Sequence, residues 1–188
     1  MREIEIKIAV DDPAEARRRL GGAGLVALSP RIFEDNRVYD DADGSLAAAH
    51  RLLRLRSAGG RHTLTFKRPE SEPGSGSDSG RYKVRIEHEV EVSDPDEMHA
   101  ILASLGYRVA YRYQKYRQTY ALGRVEIDLD ETPIGTFMEL EGPPEEIDRL
   151  AAALGYGPED YITRTYRDLF VEHRAGSTAG DMVFDAGR

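Results

Sequence analysis

The hydrophobic pattern of this chain is dominated by short runs of period two. In residues 2–8 the isoleucines at 4, 6 and 8 fall on one side of an extended segment, with Glu3, Glu5 and Lys7 on the other. The alternation returns at 51–57, where Leu53 and Leu55 oppose Arg54 and Arg56, and at 62–68, where Leu64 and Phe66 oppose Thr63, Thr65 and Lys67. It is cleanest at 82–92, with Tyr82, Val84, Ile86, Val90 and Val92 against Lys83, Arg85, Glu87, Glu89 and Glu91. An aromatic-rich run at 109–121 places Lys115, Arg117 and Thr119 on one face and Tyr116 and Tyr120 on the other. Val125, Ile127 and Leu129 then alternate with Glu126, Asp128 and Asp130, and Met138 and Leu140 with Glu139 and Glu141. With an extended run at 31–40, these segments predict about eight strands.

Short helices separate the strands. Asp11 or Asp12 caps the first, Pro13 suits its opening turn, and Gly21 and Gly22 end it. A second starts near Ser93 or Asp94 and stops at Gly106, and a third occupies PPEEIDRLAAALGY. The run PEDYITRTYRDLFVEHR predicts a final helix or helix pair. DADGSLAAAH is a turn entering a brief helix; a calcium loop starting at Asp41 would need Glu at position 52, which is Leu52. PESEPGSGSDSG lacks the Gly-Lys-Ser/Thr ending of a phosphate loop and predicts a mobile connector. Residues 175–188 are expected to form a frayed, flexible tail. Strands joined by short turns, with helices between groups of them, predict an α+β antiparallel sheet.

Composition narrows the function. A chain of 188 residues is expected to form one domain, and a net charge of −8 argues against a general nucleic-acid or membrane-surface binder. The absence of cysteine excludes disulfides, a thiolate nucleophile and cysteine-ligated zinc. No apolar run approaches membrane length and MREIEIK enters a strand directly, so a cytoplasmic location is expected. The five histidines show no ligand spacing, and Arg17 to Arg19 form the wet face of a helix. The tyrosines at 107, 111, 113, 116 and 120 read as strand packing or as the contact of a homodimer, with stacking on a base as the alternative.

The polar strand faces carry the functional signal. They are poor in Ser, Gln and Asn and rich in groups that grip phosphate or metal. Their signs also segregate: basic on 51–57 and 109–121, acidic on 124–132 and 137–141, mixed on 2–8 and 82–92. An open sheet would leave these faces in water. A sheet curled with them inward would form a tunnel with a cationic and an anionic side. Such a tunnel suits a highly charged anion with bound Mg²⁺ or Mn²⁺, because carboxylates take the hard metal and Arg/Lys the phosphate oxygens.

The opening Glu3-Ile4-Glu5-Ile6-Lys7, followed in order by VYDDADGSL, LRLR, LTFK, RIEHE, QKYRQ, LDETPIGTF and MELEG, resembles the CYTH superfamily of triphosphate tunnel metalloenzymes. TYRDLF near the C-terminus resembles the ending of the class IV adenylate cyclase-like branch. The resemblance implies an α+β domain over residues 1–174, built as an eight-stranded antiparallel β-barrel with a charged interior and helices packed outside. It implies dependence on Mg²⁺ or Mn²⁺ and a small-molecule triphosphate as partner. Carried over by position, Glu3, Glu5, Asp128, Asp130, Glu139 and Glu141 are the implied metal ligands. Arg54, Arg56, Lys67, Arg85, Lys115 and Arg117 are the implied triphosphate clamps. Lys7 touches phosphate or orients a carboxylate, and Glu87 or Glu89 prepares the attacking water. The expected reaction is hydrolysis of inorganic triphosphate, thiamine triphosphate or a nucleoside triphosphate. Conversion of ATP to cyclic AMP and pyrophosphate is the alternative, and a non-catalytic polyphosphate- or nucleotide-binding module the third reading.

Overall fold

The computed structural model describes residues 1–70, 80–175 and 180–185. Most of the connector expected to be mobile, residues 71–79, lies outside the described residues. Nine strands are present: β1 (Arg2–Val10), β2 (Val26–Ala27), β3 (Ile32–Asp40), β4 (Leu52–Ala58), β5 (Arg61–Pro69), β6 (Lys83–Glu91), β7 (Arg108–Leu122), β8 (Val125–Thr132) and β9 (Gly135–Glu141). They form one antiparallel sheet in the order β2-β7-β3-β4-β5-β6-β1-β9-β8, and β8 pairs back onto β7. All strands but β2 therefore make a closed eight-stranded barrel, in which no long edge is left to template pairing with another chain. The two-residue β2 lies on the outer part of β7, pairing Val26 with Ala121.

The helices are α1 (Pro13–Gly22), α2 (Ser45–Ala48), α3 (Pro95–Ser104), α4 (Pro144–Ala153) and α5 (Tyr166–His173). The Asp12 carboxylate accepts from the Ala14 amide to start α1, and Asp94 accepts from Asp96 and Glu97 to start α3. The expected final helix or pair resolves into a single 3-10 turn at Pro158–Asp160 followed by α5, capped by Thr165 and Asp168.

The apolar strand faces explain where the helices sit. Ile6, Ile8, Ile127, Leu129, Met138 and Leu140 form the main core with Leu20 of α1 and Ile147 and Leu150 of α4. Each such side chain contributes about 1.5–3 kcal/mol of burial. Tyr39, Leu53 and Leu55 pack with Leu46 of α2 and Leu102 of α3. A third cluster joins Tyr111, Tyr113 and Phe137 to Tyr166, Leu169 and Phe170 of α5. The tyrosines of β7 are thus packing residues. At the end of β9 the chain leaves through Gly142 at φ 156°, where a Cβ would sit 2.8 Å from the Arg124 carbonyl oxygen, so only glycine fits directly after Glu141.

Within the tail expected to be frayed, the described residues 180–185 pack against the barrel. Met182 is fully buried in the third cluster; its carbonyl accepts from the Gln114 amide at 2.9 Å and its amide donates to the Arg112 carbonyl at 3.0 Å. Phe184 packs on Tyr116 with ring centroids 5.3 Å apart. The cause is geometric. β8 covers β7 only from Tyr116 to Leu122, and the segment around Met182 takes up the hydrogen-bonding edge that β7 leaves open at Arg112–Gln114. Met182→Ala is therefore expected to lower unfolding free energy by about 2–5 kcal/mol in urea titration; an unchanged midpoint would show that the segment is not docked.

Candidate active site

Inside the barrel lies a cavity of about 660 Å³, and every residue expected in the site except Asp130 lines it. The lining comprises Glu3, Glu5 and Lys7 of β1, Arg54 and Arg56 of β4, Lys67 of β5, and Arg85, Glu87 and Glu89 of β6. It continues with Lys115 and Arg117 of β7, Asp128 of β8, and Glu139 and Glu141 of β9. The segregation of signs becomes an arrangement in space. β7 and β4, on either side of β3, present the cationic arc, and β1, β9 and β8 present most of the carboxylates.

These charges are held against one another. On the acidic side, Lys7 Nζ lies 3.0 Å from Glu139 and 3.5 Å from Glu5. Lys67 Nζ donates to Glu3 at 2.7 Å and lies 3.3 Å from Glu87, and Lys83 Nζ reaches Glu5 at 2.6 Å. On the cationic side, Arg54 donates to the Tyr113 hydroxyl at 3.2 Å and to Thr65 at 3.3 Å. Arg117 spans the two, pairing with Asp128, Asp130 and Glu139.

Burial acts on all of these groups, and the local charge balance decides which way each shifts. Burial alone would raise the Glu5 carboxyl; Lys7 and Lys83 outweigh it and hold it at about 2. The Glu34 carboxyl is held at about 2 in the same way, by Lys115 and Arg117. Glu139 is pushed well below the usual range by Lys7, Lys115 and Arg117, again against burial. Burial lowers Lys83 despite its pairing with Glu5. Two carboxyls go the other way. Glu141 rises to about 7 through burial and the neighbouring Glu3, Glu5 and Glu87, and Asp128 rises to about 6 through burial and Asp130, opposed by Arg117.

The acidic side fits a divalent cation. The register places Glu5, Glu141 and Glu126 side by side on β1, β9 and β8, an arrangement of like charges that costs stability unless a cation relieves it. Glu3 Oε2 is buried with no hydrogen-bond partner. An all-oxygen, strongly anionic donor set matches Mg²⁺ or Mn²⁺. Among the described residues no three acidic or histidine side chains are already gathered as a metal cluster; Glu3, Glu5 and Glu139 are instead engaged by lysines.

Two expected residues are placed differently from expectation. Asp130 is fully buried behind the cavity wall, where its oxygens accept from Lys115 at 2.8 Å, Arg117 at 2.6 Å and the Tyr166 hydroxyl at 2.7 Å. These contacts tie Asp130 to the cationic arc. Glu89 stands among the arginines, accepting from Thr65 at 2.7 Å and Arg56 at 3.3 Å, which ties it to the clamp side. Sequence reasoning passed over Glu34, which lies 3.7 Å from both Arg56 and Lys115, as well as Lys83, Tyr113 and Tyr166. Lys83 and Tyr113 share strand parity with residues that were selected; that parity was the available signal. Among the described residues no helix is long and apolar enough to cross a membrane.

Comparison with known proteins agrees with this geometry. The CYTH domain model matches residues 1–166, and the chain belongs to the CYTH family. It is 26% identical over 180 residues to "Putative adenylate cyclase MJ0240" of Methanocaldococcus jannaschii, covering 90% of this chain and 98% of that protein. It is 29% identical over 163 residues to adenylate cyclase CyaB of Aeromonas hydrophila, covering 77% of this chain and 78% of the relative. Among solved structures, HpAC1 of Hippeastrum, reported to show a dominant triphosphatase activity, superposes with a TM-score of 0.60 at 20% identity, covering 93% of this chain and 96% of that one.

A carboxyl whose pKa is higher in the folded than in the unfolded chain favours folding at low pH. That contribution is given up as pH rises through the folded value. Glu141 at about 7 and Asp128 at about 6 therefore make the metal-free protein less stable at pH 8 than at pH 5. In chelator, thermal melting should show Glu141→Gln more stable than wild type at pH 8, with the difference shrinking as pH falls and gone below the ordinary carboxyl value of 4.5. Mn²⁺ at pH 8 should raise the wild-type Tm more than the variant's. A pH-independent offset between the two would disprove the assignment.

Proposed function

We propose that this protein is a divalent-metal-dependent phosphohydrolase that cleaves a triphosphate held in the barrel. The observation that carries the reading is the cavity inside the barrel, in which arginines and lysines face a row of carboxylates. Arg54, Arg56, Lys115 and Arg117 bind the phosphate chain, Arg with planar bidentate geometry and Lys as a point charge. Glu3, Glu5, Glu139 and Glu141 would hold the metal. A bound Mg²⁺ or Mn²⁺ supplies Lewis-acid neutralisation of phosphoryl oxygens. Arg117 exchanges carboxylate partners for phosphate oxygens when the anion arrives, which frees Glu139. Lys7, fixed between Glu5 and Glu139, keeps those carboxylates oriented. Glu87, beside Lys67, orients the attacking water, and the barrel wall excludes competing solvent. The triphosphatase activity reported for HpAC1 supports this choice.

A second reading, class IV adenylate cyclase, is favoured by the names of the two relatives and by Tyr166 of TYRDLF, whose hydroxyl reaches Asp130 beneath the clamp. It uses the same clamp with the ribose 3′ hydroxyl as nucleophile and pyrophosphate as leaving group.

Product identity separates the two. With ATP and with inorganic triphosphate under Mg²⁺ or Mn²⁺, the expected outcome is orthophosphate release, with ADP formed from ATP. Cyclic AMP with pyrophosphate would establish the cyclase instead. Lys115→Ala is expected to lower kcat/KM at least about 100-fold, the scale on which removing one preorganised electrostatic donor acts. No turnover, with triphosphate affinity in metal-free buffer unaffected by Glu139→Gln and Glu141→Gln together, would leave only a binding module.

A further inference from the structure

Asn36 is fully buried, yet neither its amide oxygen nor its amide nitrogen has a hydrogen-bond partner. A buried amide left open at both ends is costly and calls for a reason. Its place in the barrel supplies one. On β3 it shares a face with Val38, which lines the cavity, and the register sets it between Arg56 of β4 and Tyr113 of β7. The next row along holds Arg54, Val38 and Tyr111. Arg54 reaches across β3 from β4 to donate to the Tyr113 hydroxyl on β7, and this bridge roofs Asn36. Two further polar atoms around the same spot are buried without partners, Arg54 Nε and the Tyr111 hydroxyl.

This corner differs in kind from the rest of the cavity. Much of the remaining polar lining is ionic and is assigned above to phosphate or metal. Here a neutral amide stands in register beside Tyr113, whose hydroxyl is held by Arg54, with Arg56 on its other side. A neutral donor–acceptor pair adds little to the grip on an inorganic polyanion. It matches the hydroxyl, carbonyl or ring-nitrogen edge of an uncharged group attached to one.

We propose that Asn36 and Tyr113 are specificity-determining residues that recognise the hydrogen-bonding organic group of an esterified triphosphate. The inference rests on the triphosphate reading above and deepens it. In the free protein Arg54 occupies the Tyr113 hydroxyl. When phosphate oxygens draw Arg54 away, the hydroxyl and the Asn36 amide open together onto the neighbouring part of the substrate. The polyanion thus uncovers the subsite that its organic group fills, and inorganic triphosphate uncovers it without using it.

The test compares Asn36→Leu and Tyr113→Phe with wild type under Mn²⁺, measuring KM, and Kd by calorimetry. The ligands are inorganic triphosphate and whichever of ATP or thiamine triphosphate the wild type prefers. Each variant is expected to weaken the organic triphosphate about tenfold more than it weakens inorganic triphosphate, the loss of one hydrogen bond. Parallel losses for both ligands, or no loss for either, would overturn the inference. If Asn36→Leu fails to fold, Tyr113→Phe decides, because it keeps the ring and removes only the hydroxyl. A wild-type protein that processes inorganic triphosphate alone would also overturn it while leaving the hydrolase standing. Binding of neither ligand would instead be a failure of the triphosphate reading itself.

Discussion

The structure depends on the mutual neutralisation of charges inside a closed barrel. A carboxylate or ammonium removed from water costs several kcal/mol unless an opposite charge stands within contact. Here Lys7, Lys67, Lys83, Lys115 and Arg117 each touch at least one acidic side chain of the interior. The interior therefore exists only as a set. A lysine without its carboxylates, or Asp130 without Lys115, Arg117 and Tyr166, would be a buried unpaired charge. The same pairing makes the site responsive, because an incoming polyanion competes for cations that are already desolvated and already in position.

That interior is made possible by what lies outside it. The strands that carry charge inward carry isoleucine, leucine and valine outward, where α1 and α4 cover them. Ordinary apolar burial, free of any functional constraint, holds the wall in shape. α5 has a different role. Its Tyr166 continues from the aromatic cluster of β7 and β9 to the hydroxyl contact with Asp130, linking packing at one end of the barrel to the positioning of the clamp. The ammonium groups of Lys7 and Lys115 each lie 5.3 Å from the centre of its ring, so a single side chain borders both arcs.

Strand parity made most of this legible in the sequence. Clean two-residue alternation on β1, β4, β6, β8 and β9 was enough to name which side chains share a face, and the ordered motifs turned that face inward. Parity failed in informative places. In IFEDNRVYD the two faces of β3 are both polar in part, so Glu34 and Asn36 gave no contrast to read. Tyr111 and Tyr113 share the parity of Lys115 but, as aromatics, looked like packing, which they also are. Asp130 has the same parity as Asp128 but lies behind the cavity lining, because depth within the wall is a tertiary property that alternation does not encode. The docking of Met182 depends on where β8 stops along β7, which no local pattern near residue 182 reveals.

The placement of β1 has a consequence for how the chain comes to be folded. This strand is made first, yet Glu3 finds its neighbour at Arg85 and Lys7 finds its neighbour at Glu139. Both pairings close long loops, the kind of contact that slows folding in proportion to sequence separation. During synthesis the amino-terminal strand has no local strand partner, and its isoleucine face has only α1 against it until α4 follows the last barrel strand. The segment that marks the family is thus the one most in need of protection in the nascent chain, and shielding by a chaperone would matter most for its first ten residues.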